Sequence, residues 1–422
     1  MSGAPGGGDT GGTAAGFRAA WDEIAPVGRD PGSGGYLRYG FSEPVRRLEE
    51  WFRDRVQRMG GRLETDGNGN LFAWWGPDAG GNGQRAGRSG DAAGGLLLGS
   101  HFDSVPHGGG YDGPLGIVSA LLAVTDLLDR GGPPRRPVGV AAFAEEEGAR
   151  FGVPCLGSRL LTGDIAPERA AALTDPDGVT FEAALGGPPA GARPELLAGL
   201  AAFVELHVEQ GRALAELAAP IGIGSGIWPH GRWRLELTGE ANHAGTTRMA
   251  DRRDPMLTFA FAVLAVNKEA RLRGAHATVG RVRVEPNATN AVPSRVAGWL
   301  DARAADRHVL DALVETVHRK VAERADRDGT TVTLTPESAS PAVDFDADLV
   351  GRLRRALGDD VPVLPTAAGH DAGILAAHLP TAMLFVRNPT GVSHSPAESA
   401  ADADCAAGVQ ALTDLLTALA CD

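Results

Sequence analysis

The sequence has few cysteines, few aromatic residues and no long apolar run. Its 422 residues include three cysteines, Cys155, Cys405 and Cys421, which lie far apart in the sequence. A disulfide framework or a cysteine zinc site needs paired spacings, so we exclude both and expect a reducing, cytoplasmic location. No apolar run approaches the roughly 18 residues that a membrane helix requires, so we expect a soluble protein.

The sequence also has fewer basic than acidic residues. There are 40 Lys and Arg residues against 53 Asp and Glu residues, which gives a formal net charge of -13 at pH 7. Binding to nucleic acid or to an anionic membrane needs a basic face, so we expect neither partner and favour a small molecule. The opening stretch MSGAPGGGDTGGTAAG has neither a basic start nor an apolar segment. It predicts a disordered tail over residues 1–16 rather than a signal peptide.

What the sequence does contain is an alternation of apolar strands and helices. GLLLGSH and VGVAAFA are typical of buried strands, and GIVSALLAVTDLLDR is typical of a helix. This alternation predicts an α/β sheet with function at the carboxyl ends of its strands. Between about residues 225 and 340 the order becomes strand, helix, strand, strand, helix, strand, which predicts an inserted ferredoxin-like domain. We therefore expect a catalytic domain in two parts, 17–224 and 341–422, around an insertion at 225–340.

Possible metal ligands follow each strand that opens onto the expected catalytic face. They are His101 and Asp103 after GLLLGS, Asp112 after the glycines, Glu145, Glu146 and Glu147 after VGVAAFA, His207 after AAFVEL, and His394 after FVRNPTGVS. A single such residue is usually an ordinary loop residue, but four clusters on successive strand ends predict a metal site. The mixture of imidazoles and carboxylates suits zinc, manganese, cobalt or nickel. The glycines of GSHFDSVPHGGGYDG would let the backbone turn back so that His101 and Asp112 reach one centre.

Six motifs, taken in order, resemble a known family. They are H-x-D, a glycine loop followed by Asp, E-E-G, E-L-H-x-E-Q-G, N-H-A-G-T-T and S-H-S-P-A-E. Together they resemble the hydantoinase/carbamoylase branch of the M20 metallohydrolases, which includes N-carbamoyl-L-amino acid hydrolases, β-ureidopropionases and allantoate amidohydrolases. The resemblance runs from about residue 17 to the end. It implies a homodimer with a two-metal site in the α/β domain, and an inserted lid that carries dimerisation and part of the substrate pocket.

The resemblance also implies which residues bind the metals. Two divalent ions would be held in each chain: the first by His101 and His207, the second by Glu147 and His394, with Asp112 bridging both.

The remaining acidic residues near these ligands receive other roles. Asp103 would orient the His101 ring without binding the metal itself, since a ligating histidine usually needs a partner for its second nitrogen. Glu146 would be the general base, because it adjoins the ligand Glu147 and can point at the water that the metals activate. Glu145 is interpreted as a solvated or structural carboxylate.

The substrate contacts are implied by the lid and by two loops. His243 in NHAGTT would cross the dimer to stabilise the oxyanion, or else would cap a strand end. Asn290 and Arg303 would hold the substrate carboxylate, for which the planar guanidinium is suited. Arg303 has a competing interpretation, an ion pair with Asp301 or Asp306.

Two further polar residues lie in family motifs. Gln210 in HVEQG is expected beside the metal site, and His370 in AAGHDAG is either a satisfied loop histidine or a substrate contact. Two departures from the family pattern, Ala304 after LDAR and Arg248 in TTRM, concern the substrate rather than the metals.

These observations favour a metal-dependent amidohydrolase that cleaves the carbamoyl or ureido C–N bond of a small carboxylated molecule. An N-carbamoyl-L-amino acid is the preferred substrate, with allantoate and 3-ureidopropionate as alternatives. An M20 aminoacylase or dipeptidase is a further alternative, against which ELHVEQG and EEGARFG weigh. A binding protein that keeps the metal fold without turnover is disfavoured, because neither Glu146 nor any metal ligand has been lost.

Overall fold

The computed structural model describes residues 10–77, 94–131 and 134–421. The chain forms two compact units. The first consists of Met1–Gly226 and Asp344–Asp422, and the second of Ile227–Val343. Most of GPDAGGNGQRAGRSGDAAGG, predicted to be an exposed mobile insertion, lies outside the described residues. In the part of the chain that is described, no helix is both long enough and apolar enough to span a membrane.

The first unit is built on a mixed sheet. Its strands are β1 (Arg62–Thr65), β2 (Leu71–Trp75), β3 (Gly95–His101), β4 (Val138–Phe143), β5 (Leu200–Val208), β6 (Ile221–Ile227), β13 (Val343–Asp344), β14 (Val363–Thr366) and β15 (Thr381–Val386). The order across the sheet is β1-β2-β4-β3-β5-β15-β6-β13, and β14 pairs with β6. β3 runs parallel to β4 and β5, and β15 runs parallel to β5.

The parallel strands bring their carboxyl ends to one edge of the sheet. His101 at the end of β3 lies opposite Phe143 at the end of β4, and His207 near the end of β5 lies opposite Phe385 of β15. β3, β4 and β15 are buried along their whole length, as expected for parallel strands covered on both faces. The polar residues that follow them therefore emerge together.

Helices cover this sheet. They are α1 (Thr10–Ile24), α2 (Glu43–Arg58), α3 (Pro114–Gly131), α4 (Leu156–Thr162), α5 (Pro167–Ala171), α6 (Phe181–Leu185), α7 (Ala213–Glu216), α10 (Ala347–Leu357), α11 (Asp371–Leu375) and α12 (Asp402–Leu416). α3 packs against α12 and α1, and the largest apolar core lies between these helices and the sheet.

The start of α1 differs from the expected tail. The sequence predicts disorder over residues 1–16, but the helix begins at Thr10, while residues 1–9 lie outside the described part. Phe17, Trp21 and Ile24 repeat at helical spacing and are buried in the core, so the helix is anchored by its apolar face. Alanines favour its extension toward the amino terminus.

The second unit is a separate sheet covered by two helices. Its elements are β7 (His230–Thr238), β8 (Asn242–His243), α8 (Pro255–Arg273), β9 (His276–Glu285), β10 (Ala291–Val292), β11 (Arg295–Arg303), α9 (Arg307–Asp328) and β12 (Thr331–Ser340). The main strands are antiparallel in the order β12-β7-β11-β9. The order βαββαβ matches the one predicted for the insertion, and β8 pairs with β10 outside this sheet.

Candidate metal centre

One carboxylate lies in two groups of possible metal ligands. Asp112 forms one group with His101 and His207, and a second group with Glu147 and His394. Within each group the candidate ligand atoms all lie within 4.8 Å of one another. The structure thus brings together the five residues that the sequence analysis assigns to metal binding, with Asp112 shared between the groups.

The two buried histidines of the first group have a defined orientation. Nδ1 of His101 lies 3.0 Å from the backbone carbonyl of Asp103, and Nδ1 of His207 lies 2.9 Å from that of Val208. A carbonyl can only accept, so each Nδ1 carries a proton and each Nε2 is the ring atom available to a metal.

The Nε2 atoms of both rings face Asp112. Its Oδ1 lies 3.1 Å from Nε2 of His207 and 3.6 Å from Nε2 of His101. Both Nε2 atoms are buried and have no hydrogen-bond partner among the described residues. Buried nitrogen atoms of this kind are normally satisfied, so the residues present fit a divalent cation.

The second group is more open. Nε2 of His394 lies 3.4 Å from Oδ2 of Asp112 and 3.5 Å from Oε2 of Glu147. The other oxygen of Glu147 accepts a hydrogen bond of 3.3 Å from the backbone N–H of Val105. The His394 side chain is 49% exposed, whereas those of His101 and His207 are fully buried.

The glycine loop is held in place by a carboxylate that the sequence analysis did not assign. Oε1 of Glu398 accepts hydrogen bonds from the backbone N–H groups of Tyr111 and Asp112, at 2.9 and 3.0 Å. Gly113 has a φ of +87°, and a Cβ there would lie 2.5 Å from the His101 ring. Only glycine fits this approach, as the sequence analysis expects for the loop. Glu398 is the last residue of the motif S-H-S-P-A-E, and this motif was the sequence signal that could have identified it.

Asp103 contacts other atoms than predicted. Its carboxylate accepts hydrogen bonds of 3.1 Å from the backbone N–H groups of both Glu146 and Glu147. The His101 ring is held by the Asp103 backbone carbonyl instead, and the nearest carboxylate oxygen is 3.6 Å away. The main-chain carbonyl of Asp103 thus contacts the ring, and its anionic side chain contacts two N–H donors. Asp103 therefore fixes the acidic segment as well as the histidine.

The three consecutive glutamates have different surroundings. Oε2 of Glu146 lies 3.7 Å from Nε2 of His101, on the side of the first ligand group. Glu145 is buried rather than solvated, and its Oε1 accepts hydrogen bonds from the backbone N–H groups of Arg150 and Phe151 at 2.9 and 2.8 Å. Glu145 thus has a structural environment, in agreement with one of its two interpretations.

Gln210 and His370 both lie against the ligand groups. Nε2 of Gln210 donates a hydrogen bond of 2.8 Å to Oδ2 of Asp112. The rings of His370 and His207 have centroids 4.4 Å apart and are inclined at 61°. His370 is buried, and its Nε2 has no hydrogen-bond partner among the described residues, so the interpretation as a satisfied loop histidine does not hold.

Glu205 is a further buried carboxylate that the sequence analysis missed. Its two oxygens accept hydrogen bonds from Oγ of Ser100, at 3.0 Å, and from the backbone N–H of Ala372, at 2.9 Å. It also forms a third group of possible ligands with His207 and His370. Glu205 lies in β5, where an apolar residue is expected, and it is also the first residue of the motif E-L-H-x-E-Q-G, so two sequence signals were available.

Burial shapes the electrostatics of the site. It raises the pKa of Glu147 to about 7, aided by the charge of Asp112, and it raises the pKa of Glu146 well above its usual range. Burial also acts to raise the pKa of Asp112, but the charge of His207 and the contact with His394 outweigh it and lower that pKa well below its usual range. The hydrogen bond to Asp112 raises the pKa of His394 to about 9. Several carboxyl groups are buried together at this site, and their charged forms repel one another. The site therefore favours a bound cation.

The lid residues predicted to bind substrate all lie in the second unit. Nδ1 of His243 accepts hydrogen bonds from the backbone N–H groups of Gly245 and Thr246 at 3.0 and 3.2 Å. The backbone carbonyl of Asn290 accepts a hydrogen bond of 2.9 Å from Ala244, which joins β8 to the turn before β10.

Arg303 makes one of the two ion pairs weighed in the sequence analysis. Its Nε donates to Oδ1 of Asp301 at 3.0 Å. Oδ2 of Asp301 lies 3.2 Å from Nε of Arg232, so the carboxylate bridges two arginines.

The chain matches known proteins along most of its length. Residues 97–418 match the model of Peptidase family M20/M25/M40. An N-carbamoyl-L-amino acid amidohydrolase from Geobacillus stearothermophilus is 35% identical over 404 residues, which cover 92% of this chain and 94% of that relative. Allantoate amidohydrolase from Escherichia coli (strain K12) is 32% identical over 418 residues, which cover 96% of this chain and 98% of the relative.

Solved structures agree with these relatives. A hydantoinase/carbamoylase family amidase from Burkholderia ambifaria has a TM-score of 0.82 and 30% identity, and the match covers 96% of this chain and 97% of that chain. The chain belongs to peptidase family M20/M25/M40. The family predicted from the six motifs and the α/β fold class are thereby confirmed. The chain is a hydrolase of the carbamoylase and allantoate amidohydrolase type, which acts on C–N bonds other than peptide bonds.

Proposed function

We propose that this chain is a two-metal amidohydrolase that cleaves the carbamoyl C–N bond of N-carbamoyl-L-amino acids. The observation that carries the proposal is Asp112, whose carboxylate is shared between two ligand groups and lies beside Nε2 of two buried histidines. His101 and His207 would hold one cation, Glu147 and His394 the other, and Asp112 both. Zinc, manganese, cobalt and nickel all suit this set of ligands.

When bound, the two cations would supply a nucleophilic water near neutral pH and polarise the carbamoyl carbonyl. Glu146 takes the proton of that water and returns it to the leaving nitrogen. Its position beside His101 and the burial that raises its pKa both support this role, because a base with a raised pKa can also act as the acid. Asp103 keeps Glu146 in place through its backbone N–H.

The substrate is assigned from its two functional groups. The substrate carboxylate is bound by Arg303, Asn290 and Gln210. His370 contacts the substrate from its position beside His207. The N-carbamoyl-L-amino acid relative has the higher of the two identities quoted above, which favours that substrate. Allantoate is the second candidate, because it also carries a ureido group and a carboxylate and the allantoate relative matches nearly the whole chain. 3-Ureidopropionate has the same two functional groups and is the third candidate substrate.

The active form is proposed to be a homodimer in which the second unit serves the site of the partner subunit. His243 is then the donor to the developing oxyanion. Since Nδ1 of His243 accepts hydrogen bonds from Gly245 and Thr246, the neutral ring carries its proton on Nε2, which makes Nε2 a donor. An oxyanion is stabilised by a donor of this kind.

The proposal is tested by a substrate screen on metal-reconstituted protein. The panel contains N-carbamoyl-L-amino acids, their D enantiomers, 3-ureidopropionate, allantoate and N-acetyl-L-amino acids. We expect ammonia and the free L-amino acid to appear together from the first group, and Glu146→Gln protein serves as the matched control. Ammonia from allantoate alone would replace the assignment with the second candidate. Cleavage of N-acetyl-L-amino acids without ammonia release would contradict the carbamoyl specificity altogether.

A further inference from the structure

Glu146 has a second side-chain contact, on the side away from the histidines. The Cys155 thiol lies in the turn before α4, is 4% exposed, and donates a hydrogen bond of 3.4 Å to Oε1 of Glu146. The other oxygen, Oε2, is the one that lies 3.7 Å from Nε2 of His101. The two oxygens of this carboxylate therefore have different surroundings, one beside the thiol and one beside the ligand group.

The backbone of Cys155 holds the same glutamate. Its N–H donates a hydrogen bond of 2.6 Å to the carbonyl of Glu146, and the N–H of Gly157 donates one of 2.9 Å to the carbonyl of Ala144. The turn before α4 and the acidic segment are thus joined side by side. Any displacement of Cys155 is transmitted to Glu146 through two contacts.

Cys155 adopts a backbone conformation that glycine would adopt more easily. Its φ is 54° and its ψ is 37°, in the left-handed region that residues with a Cβ rarely enter. A side chain kept in such a position at a functional site indicates that the side chain itself is needed there. Burial raises the pKa of the thiol well above its usual value, so the S–H donor is retained.

We propose that Cys155 is a positioning residue for Glu146. Its S–H donates a hydrogen bond to Oε1, and its backbone N–H holds the main chain of Glu146. These two contacts leave Oε2 facing the ligand group. This inference rests on the proposed function, in which Glu146 moves the proton. Cys155 touches neither the substrate nor the reacting atoms and acts through Glu146.

The first test compares three variants at this position with the native enzyme. Cys155→Ala removes the donor and keeps the strained backbone, so kcat should fall about 10-fold with KM and metal content unchanged, as expected for the loss of one hydrogen bond to a charged group. Cys155→Ser keeps a donor and should stay within about 3-fold of the native kcat. Cys155→Gly removes the donor and the strain together, so it should match the alanine variant in kcat without losing thermal stability.

Ala218 supplies the matched control for strain. It lies in the first unit, is exposed and has the same φ of 54°. Ala218→Gly should leave kcat unchanged, which shows that relief of strain alone does not slow the reaction. Native kcat in Cys155→Ala, or a loss in Cys155→Ser as large as that in Cys155→Ala, would overturn the proposal.

The second test separates this inference from the proposed function. In a Glu146→Gln background, Cys155→Ala should have no further effect on kcat, because the thiol acts through the glutamate. An equal loss in both backgrounds would mean that Cys155 acts elsewhere.

The infrared S–H stretch of Cys155 provides a readout that does not depend on turnover. It is isolated as the difference between the spectra of native and Cys155→Ala protein. It should lie below that of a free thiol and move up in Glu146→Ala. An unchanged band would overturn the contact even if the amidohydrolase assignment stands, whereas a shifted band with no activity on any ureido substrate would leave the contact and overturn the function.

Discussion

The candidate ligands at the sheet edge of the first unit and the residues of the second unit that are proposed to contact the substrate are held in different ways. His101 and His207 are fully buried, lie on separate strands and have their rings fixed by backbone carbonyls. His243 is exposed, and its ring accepts hydrogen bonds from its own turn. Arg303 is partly exposed and pairs with a residue two positions away on its own strand.

The difference separates the chemistry from the choice of substrate. Residues on different strands of one sheet cannot move independently, so the ligand groups are set by the core of the first unit. Residues whose partners are local can change their contacts without disturbing a core. We therefore expect mutations of the ligand groups to abolish turnover on every substrate, and mutations of the residues in the second unit that are proposed to hold the substrate carboxylate to act according to the substrate offered.

The largest effect should come from Asp112, which both ligand groups share. Asp112→Asn should lose metal from both groups and reduce turnover to the background rate, and chelation of native protein should do the same until a divalent ion is restored. Elemental analysis and kcat measure the two outcomes. Asp404→Asn is the control, because it removes a buried carboxylate that pairs with Arg387 and should keep its metals. Active Asp112→Asn protein with full metal content would contradict the shared role.

The next largest effects should come from one residue in each unit. Glu146→Gln should keep its metals and lose ~100-fold to ~10,000-fold in kcat, and His243→Ala should lose ~100-fold to ~1,000-fold. When the two inactive proteins are mixed and re-dimerised, half of the dimers contain both chains. One of the two sites in each such dimer is then intact, so about a quarter of the native rate should return. No recovery in verified heterodimers would place His243 in the site of its own chain.

Arg303 should show a smaller effect that depends on the substrate. Arg303→Ala should cost about 2 to 5 kcal/mol in kcat/KM for a carboxylated substrate. The same substrate amidated at its carboxylate should be poor for the native enzyme and little affected by the change. Arg232→Ala is the matched control, because Arg232 pairs with the same carboxylate of Asp301. Equal losses in the two variants would assign Arg303 to support of the second unit.

The smallest effect should be seen in the pH dependence of metal affinity. A metal must displace the proton of His394, whose pKa is raised to about 9, and that of Glu147, whose pKa is raised to about 7. Affinity should therefore fall about 10-fold for each pH unit from 9 to 7 and more steeply below 7. Competition with a chelator at several pH values measures this. Affinity that is constant between pH 7 and 9 would show that His394 is neutral before the metal binds.

Much of the first unit could be predicted from the sequence, because its signals are local. Runs such as GLLLGSH mark buried strands, and the residue that follows such a run lies at the sheet edge whatever the rest of the chain does. This is why His101, Glu147 and His207 could be assigned as neighbours. The order of strands and helices changes at the insertion, and this change is what the predicted bounds of 225–340 rest on.

The details that were not predicted depend on contacts between distant segments. The contact of Glu398 with the amides of the glycine loop joins positions far apart in sequence, and so does the hydrogen bond from the backbone N–H of Ala372 to Glu205. The spacing of Asp103 and His101 is compatible with a hydrogen bond to either the side chain or the main chain of Asp103. The amides of Glu146 and Glu147, which come from a distant segment, bind the Asp103 carboxylate and leave the carbonyl for the ring.

The position of β15 has a consequence for biosynthesis. This strand, near the end of the chain, lies between β5 and β6, which follow each other in sequence. A growing chain that has not yet produced β15 has an open gap within its sheet, with unpaired backbone groups on both sides. The second ligand group includes His394, which follows β15 in the sequence. In the proposed two-metal site, the second cation can therefore be bound only after His394 has been made, and a nascent chain that stalls before β15 exposes two strand edges to aggregation.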